Sequence, residues 1–120
     1  MKFPRTRRIT RRADFQRVRK HGKSVNGRFL VLGYLSEESI GPSKLGLITT
    51  KRLGNAVVRN RVRRRLRGIM QRIGDRFLPG HWLVLIARNA AATATSEQLE
   101  KEWKWLMHRA SLMAPKETES

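Results

Sequence analysis

The chain has 120 residues, no cysteine, 39% hydrophobic residues and 27 Lys and Arg against 9 Asp and Glu, a formal charge of +18. That length fits one domain with one modest core, and the composition excludes a disulfide framework, thiolate metal sites and any apolar run near the ~18 residues that cross a bilayer. A charge this far from zero exceeds what solubility requires and implies a polyanionic partner.

In chain order, residues 1–9 read as a basic arm. Thr10 is placed to cap a short helix through Lys20, Gly22 is placed to end it, and Ala13 or Phe15 with Val18 supplies a narrow apolar stripe. From Lys23 to Leu35 the sequence turns β-like, with a turn at Asn26-Gly27 and a buried strand beginning at Phe29. Ser36 to Lys44 is a loop, and Leu45–Thr49 is a third strand. After the break Leu53-Gly54-Asn55, Asn55 caps a helix over Ala56–Ile73, because Val58, Val62, Leu66, Ile69, Met70 and Ile73 recur at spacings of three and four. Pro79-Gly80 precedes the apolar run Trp82–Ala87, which reads as a strand covered on both faces and parallel to the strand before the helix. Thr95 with Gln98 forms a capping box for a last helix whose stripe is Leu99, Trp103, Leu106, Ala110 and Met113, with Glu97–Lys101 and Glu100–Lys104 pairs on its outer face. Residues 10–113 are thus one domain and 114–120 a polar tail.

A basic helix face is ordinarily just a solvated surface. That explanation is insufficient here. Between Glu38 and Asp75 there is no acidic residue, while Lys44, Lys51, Arg52, Arg59, Arg61, Arg63, Arg64, Arg65, Arg67 and Arg72 supply ten positive charges. Like charges one helical turn apart, at roughly 7 Å, repel by about 0.6 kcal/mol in water, and a polyanion removes that strain. Arginine rather than lysine suits bidentate phosphate contacts and stacking on bases. On the helix, Arg59 and Arg65 flank the apolar stripe, while Asn60, Arg64 and Arg67 lie opposite it. Asn60 can donate and accept at once, which hints at contacts more specific than charge.

Nothing marks a protein-borne active site. Aspartate occurs only at 14 and 75, the glutamates are dispersed, and His21, His81 and His108 lack metal-ligand spacing. We expect no catalytic residue and no metal ligand in the protein. The N-terminus has no signal-peptide pattern, so a cytoplasmic location with no membrane partner is expected.

The stretch from Lys51 to Arg67, KRLGNAVVRNRVRRRLR, centred on Arg59-Asn60-Arg61, closely resembles the signature of the bacterial ribonuclease P protein subunit. Asp14-Phe15, Gly22, Leu45-Gly46-Leu47 and the run Leu83–Arg88 extend the resemblance to about residues 9–112. It implies an α+β fold, a single α-β-β-β-α-β-α sandwich domain with a left-handed β-α-β crossover, against the usual hand. It also implies two partners: a large catalytic RNA, which cleaves with Mg2+ bound mainly by that RNA, and the precursor tRNA whose 5′ leader is removed. No small-molecule substrate is implied.

Carried over by position, Lys51, Arg52, Asn55, Arg59, Asn60, Arg61, Arg63, Arg64, Arg65 and Arg67 would contact the catalytic RNA. Arg11, Arg12, Phe15, Arg19 and Tyr34 would contact the leader. From the residues alone Phe15 reads as a core residue; the resemblance makes it the cleft aromatic. The chain departs from the family pattern at Arg19, where a second aromatic is frequent, and at Gly33-Tyr34, where a strand aromatic is common. A structural ribosomal protein is the alternative of similar size and charge, and the Arg-Asn-Arg signature separates the two.

Overall fold

The computed structural model describes residues 8–36, 43–73 and 80–111. The elements run α1 (Arg12–His21), β1 (Lys23–Asn26), β2 (Leu30–Ser36), β3 (Lys44–Ile48), α2 (Ala56–Ile73), β4 (His81–Ala87) and α3 (Ser96–Arg109), with short 3-10 turns at Lys51–Leu53 and Asn89–Thr93. This is the α+β order expected from the sequence. The predicted tip of the loop after β2, Pro79, Met113 and the C-terminal tail lie outside the described residues, as does most of the basic arm.

The strands form one mixed sheet in the order β1-β2-β4-β3. β1–β2 and β2–β4 are antiparallel, whereas β3 and β4 are parallel and joined through α2, as the apolar run at Trp82–Ala87 led us to expect. The outer edge of β3 is partly covered by the N-terminal segment: Ile9 N–H donates to the Leu45 carbonyl at 3.0 Å, and Ile9 is buried. The last residues of the predicted arm therefore belong to the folded domain.

Period-two alternation sends Leu30, Leu32, Leu83 and Leu85 to one face of the sheet. There they meet Val62, Leu66, Ile69 and Met70 of α2 and Leu99, Trp103, Leu106 and Met107 of α3 in the main core. The α2 stripe is as read from the sequence over its described side chains. In α3, Met107 joins the buried set one turn after Trp103, and Ala110 is the C-cap. The Thr95–Gln98 capping box is present in both directions, at 2.9 and 3.1 Å. The other sheet face holds a smaller cluster of Ile9, Val18, Leu35 and Val84 beneath α1. Because α1 is only ten residues long, it covers part of that face, and Trp82 and Ile86 stay half-buried there.

Several local expectations are corrected. α1 starts one residue later than a Thr10 cap requires: Arg11 is its N-cap, and no side chain caps it. β2 begins at Leu30 rather than Phe29, and β3 runs one residue earlier, from Lys44 to Ile48. Glu100 pairs with Lys104 at 3.2 Å as predicted, but it also takes Arg72 of α2 at 2.5 Å, while Glu97 and Lys101 do not close an ion pair. Arg72 thus joins the local partner on Glu100 rather than displacing it. Glu102, for which no sequence pattern marks a role, accepts the backbone N–H groups of Arg28, Phe29 and Leu30 at 2.7–2.8 Å and pins the β1–β2 turn to α3.

Candidate nucleic-acid interface

Two surfaces, one on each side of the sheet, collect the residues singled out by sequence. The first is the outer face of α2. Asn55 starts the helix, its Oδ1 accepting from Val58 N–H at 3.0 Å. That carbonyl oxygen is occupied, so Asn55 acts first as a cap and offers only its amide NH2 outward. Lys51 and Arg52 lie exposed in the preceding 3-10 turn, near the helix N-terminus.

Farthest from the core run Val57, Asn60, Arg64, Arg67 and Gln71, all exposed, at alternating spacings of three and four. Arg64 and Arg67 make no hydrogen bond or ion pair within the described residues. The flanking arginines are different. Arg61 Nη2 donates to the Ala92 carbonyl at 3.1 Å, and Arg65 Nη1 donates to the Ala94 carbonyl. On the other flank Arg63 Nη2 donates to Thr49 Oγ1 at 2.7 Å, and Arg59 is half-buried. The arginine run thus divides into an outward stripe and the three residues Arg61, Arg63 and Arg65 that brace α2 against its neighbours, while Arg59 is half-buried with its Nε unpartnered. The absence of acids in the segment hid this division, because the acceptors are carbonyls, a hydroxyl and, for Arg72, a glutamate on α3.

The second surface is a cleft of about 470 Å³ between α1 and the sheet, with an apolar floor of Val31, Ile48, Val84 and Ile86. Phe15 forms one wall, and Arg19, Lys23 and Ser24 stand at the rim. Its shape follows from two glycines on one cross-strand row, Ser24–Gly33–Val84–Gly46. A Cβ on Gly46 would sit 2.5 Å from Phe15 Cε1, so the missing side chain is what lets Phe15 approach the strand. A Cβ on Gly33 would meet nothing closer than Val18 Cγ1 at 3.7 Å, and that end of the row stays open as cleft. Gly22 lets α1 turn directly into β1, since a Cβ there would come within 2.3 Å of the Tyr34 carbonyl oxygen.

Of the five predicted leader residues the structure gathers Phe15 and Arg19 in the cleft. Arg11 and Arg12 are exposed at the first turn of α1, outside the cleft lining. Tyr34 does not join them. It alternates with Gly33 on β2 and therefore points to the opposite face, where it packs against the main core. Lys23, Ser24, Gln16 and Thr50, which the sequence reading passed over, line the cleft instead. Period-two alternation of β1 and β2 was the signal that would have found Ser24 and rejected Tyr34. At the far end of the same face Arg17 and Lys44 lie 5.3 and 5.6 Å from the Trp82 ring centroid.

Among the described residues no three His, Cys, Asp or Glu side chains gather into a group that could hold a metal ion. None of the described helices is long and apolar enough to cross a membrane.

The family model described as ribonuclease P matches residues 3–111. The chain is 35% identical over 107 residues to the ribonuclease P protein component of Syntrophomonas wolfei, covering 89% of each protein. It is 34% identical over 113 residues to that of Clostridioides difficile, covering 93% of this chain and 98% of the relative. The solved structure of the Staphylococcus aureus RNase P protein superposes with a TM-score of 0.81 at 31% identity, over 90% of this chain and 98% of that one. The Thermotoga maritima RNase P protein, 24% identical over 85% of this chain and 96% of its own, shares the fold with a TM-score of 0.74.

Proposed function

Since the chain belongs to the bacterial ribonuclease P protein family, we propose that it docks on the catalytic RNA through the outward stripe of α2 and holds the precursor tRNA leader in the cleft beneath α1. The observation that carries this reading is the placement of the two surfaces on opposite faces of one sheet. A molecule only 26 to 38 Å across thereby offers one RNA a cationic helix and another an apolar, cation-rimmed groove. The helix suits a folded, phosphate-dense partner. The groove suits an unpaired strand, because an aromatic wall accepts any base face while Arg19 at the rim meets the backbone.

In this scheme Asn60, Arg64 and Arg67 make the direct contacts to the catalytic RNA, helped by Lys51 and Arg52 at the helix start. Arg61, Arg63 and Arg65 hold the helix in place. The RNA partner supplies the chemistry with its magnesium ions, in the cytoplasm, and the protein contributes binding and orientation of the leader. The ribosomal alternative loses its ground once the family match spans nearly the whole chain.

The test is leader removal from a precursor tRNA by the matching catalytic RNA at low magnesium, with and without this protein. Stimulation is expected, and its absence would sink the proposal. Within the same assay Arg19→Ala is expected to weaken binding of a leader-bearing precursor more than binding of mature tRNA; equal losses would remove Arg19 from the leader site.

A further inference from the structure

Trp105 is an exposed tryptophan, with 49% of its surface accessible, on the outer face of α3. It borders a surface hollow of about 420 Å³ together with Asn26, Arg28, Phe29, Gln98 and Lys101. The hollow lies away from the arginine stripe of α2 and outside the cleft lining.

Three observations define what fits there. The two rings are attended by guanidinium groups: Arg109 is 5.6 Å from the Trp105 centroid and Arg28 is 5.3 Å from that of Phe29. The lining contains a single carboxylate, Glu102, whose oxygens are already taken by three backbone N–H groups of the β1–β2 turn. Those bonds also hold the turn against α3, so the hollow is formed in advance. Finally, Gln98 has its Oε1 taken by Thr95 N–H but keeps its amide NH2 as a donor toward a base edge, and Asn26 adds a second amide to the lining. Aromatic faces, surrounding cations and amide donors match an unpaired nucleotide. A second copy of the chain is a poor occupant, because each copy carries +18.

The hollow is also next to the cleft. Ser24 lines the cleft and Asn26 lines the hollow, and the two lie on the same face of edge strand β1, about 7 Å apart along it. We propose that the Trp105 hollow is a second single-stranded RNA subsite, which takes a nucleotide of the leader after it leaves the cleft around the β1 edge. This rests on the cleft holding the leader, as argued above.

The experiment uses the holoenzyme reconstituted with its catalytic RNA and two precursors, one with a short leader and one extended at its 5′ end by a uridine stretch. Wild type should bind the extended precursor more tightly. Trp105→Ala should lose that gain, about tenfold in affinity, the lower part of what base–aromatic stacking supplies. Trp105→Phe should retain most of it, and Lys101→Ala should show a smaller loss in the same direction. Short-leader binding and low-magnesium stimulation should be unchanged in all three. Thermal unfolding of each variant checks that the half-exposed position leaves the core intact.

If Trp105→Ala matches wild type at both leader lengths while the protein still stimulates cleavage, the subsite is refuted and the cleft reading stands. A loss independent of leader length would assign the hollow to the catalytic RNA, and an altered oligomeric state without a leader effect would assign it to a second copy; either overturns the proposal. Failure of the wild-type protein to stimulate cleavage at all would instead condemn the cleft reading on which it rests.

Discussion

At the scale of single residues, the cleft depends on atoms that are missing. Gly46 and Gly33 lie in the same row of the sheet, yet one is filled by Phe15 and the other is left open. Gly46→Ala is expected to lower stability by about 1–3 kcal/mol, because the new methyl would crowd both the Phe15 ring and Ile9 Cβ, and the ring must leave its place against the strand. Gly33→Ala has ordinary contact distances and should change stability by less than about 1 kcal/mol. Urea unfolding of the two variants checks the contrast, and equal effects would contradict the packing described. His81 makes a second residue-level prediction. Its Nδ1 lies 2.5 Å from Ser36 Oγ, its backbone N–H donates to the hydroxyl of buried Ser43, and burial lowers the imidazole pKa below 6.5. The unfolded chain therefore binds this proton more readily than the folded one. Stability should be intact above pH 6.5 and fall as pH drops through the lowered folded value. His81→Gln should flatten that part of a stability-versus-pH profile.

At the scale of elements, α2 shows how one sequence run carries two jobs. Its apolar stripe seats it on the sheet, and the positions just beside that stripe must be long enough to reach neighbouring backbone. Arginine suits both sides of this arrangement, since its aliphatic stem packs and its planar head bridges to carbonyls. Replacing Arg65 removes a bond to the Ala94 carbonyl, so Arg65→Ala should cost about 1 kcal/mol of stability. Arg64 has no such bond, and Arg64→Ala should leave the unfolding midpoint in place while weakening binding to the catalytic RNA. Thermal melts and a binding titration on the same two variants separate brace from contact. If both lowered stability alike, the division of the arginine run would be wrong.

At the scale of the whole molecule, the ruling quantity is charge. With +18 on a body 26 to 38 Å across, the isolated protein repels itself, and binding to RNA relieves that while releasing counterions. The affinity for the catalytic RNA should fall steeply with salt, each neutralised phosphate adding up to about 0.9 to the log–log slope. Arg64→Ala and Arg67→Ala should each reduce the slope by about one phosphate's share. A salt-independent affinity would contradict the electrostatic account.

The sequence by itself determined the elements and the identity of the chain. Periodicity, the Asn55 cap and the Thr95–Gln98 box are local, and they mark α2 and α3 directly, while the Arg59-Asn60-Arg61 run carries the family resemblance that the comparisons bear out. The tertiary structure decided which side chains share a surface. Gly33 and Gly46 come into one row through Val84, and Glu102 meets Arg28, Phe29 and Leu30 across more than seventy residues. Strand register and helix docking set those relations. Both are fixed by packing between distant segments, so no local pattern records that Gly46 makes room for Phe15 or that Trp105 stands beside Phe29.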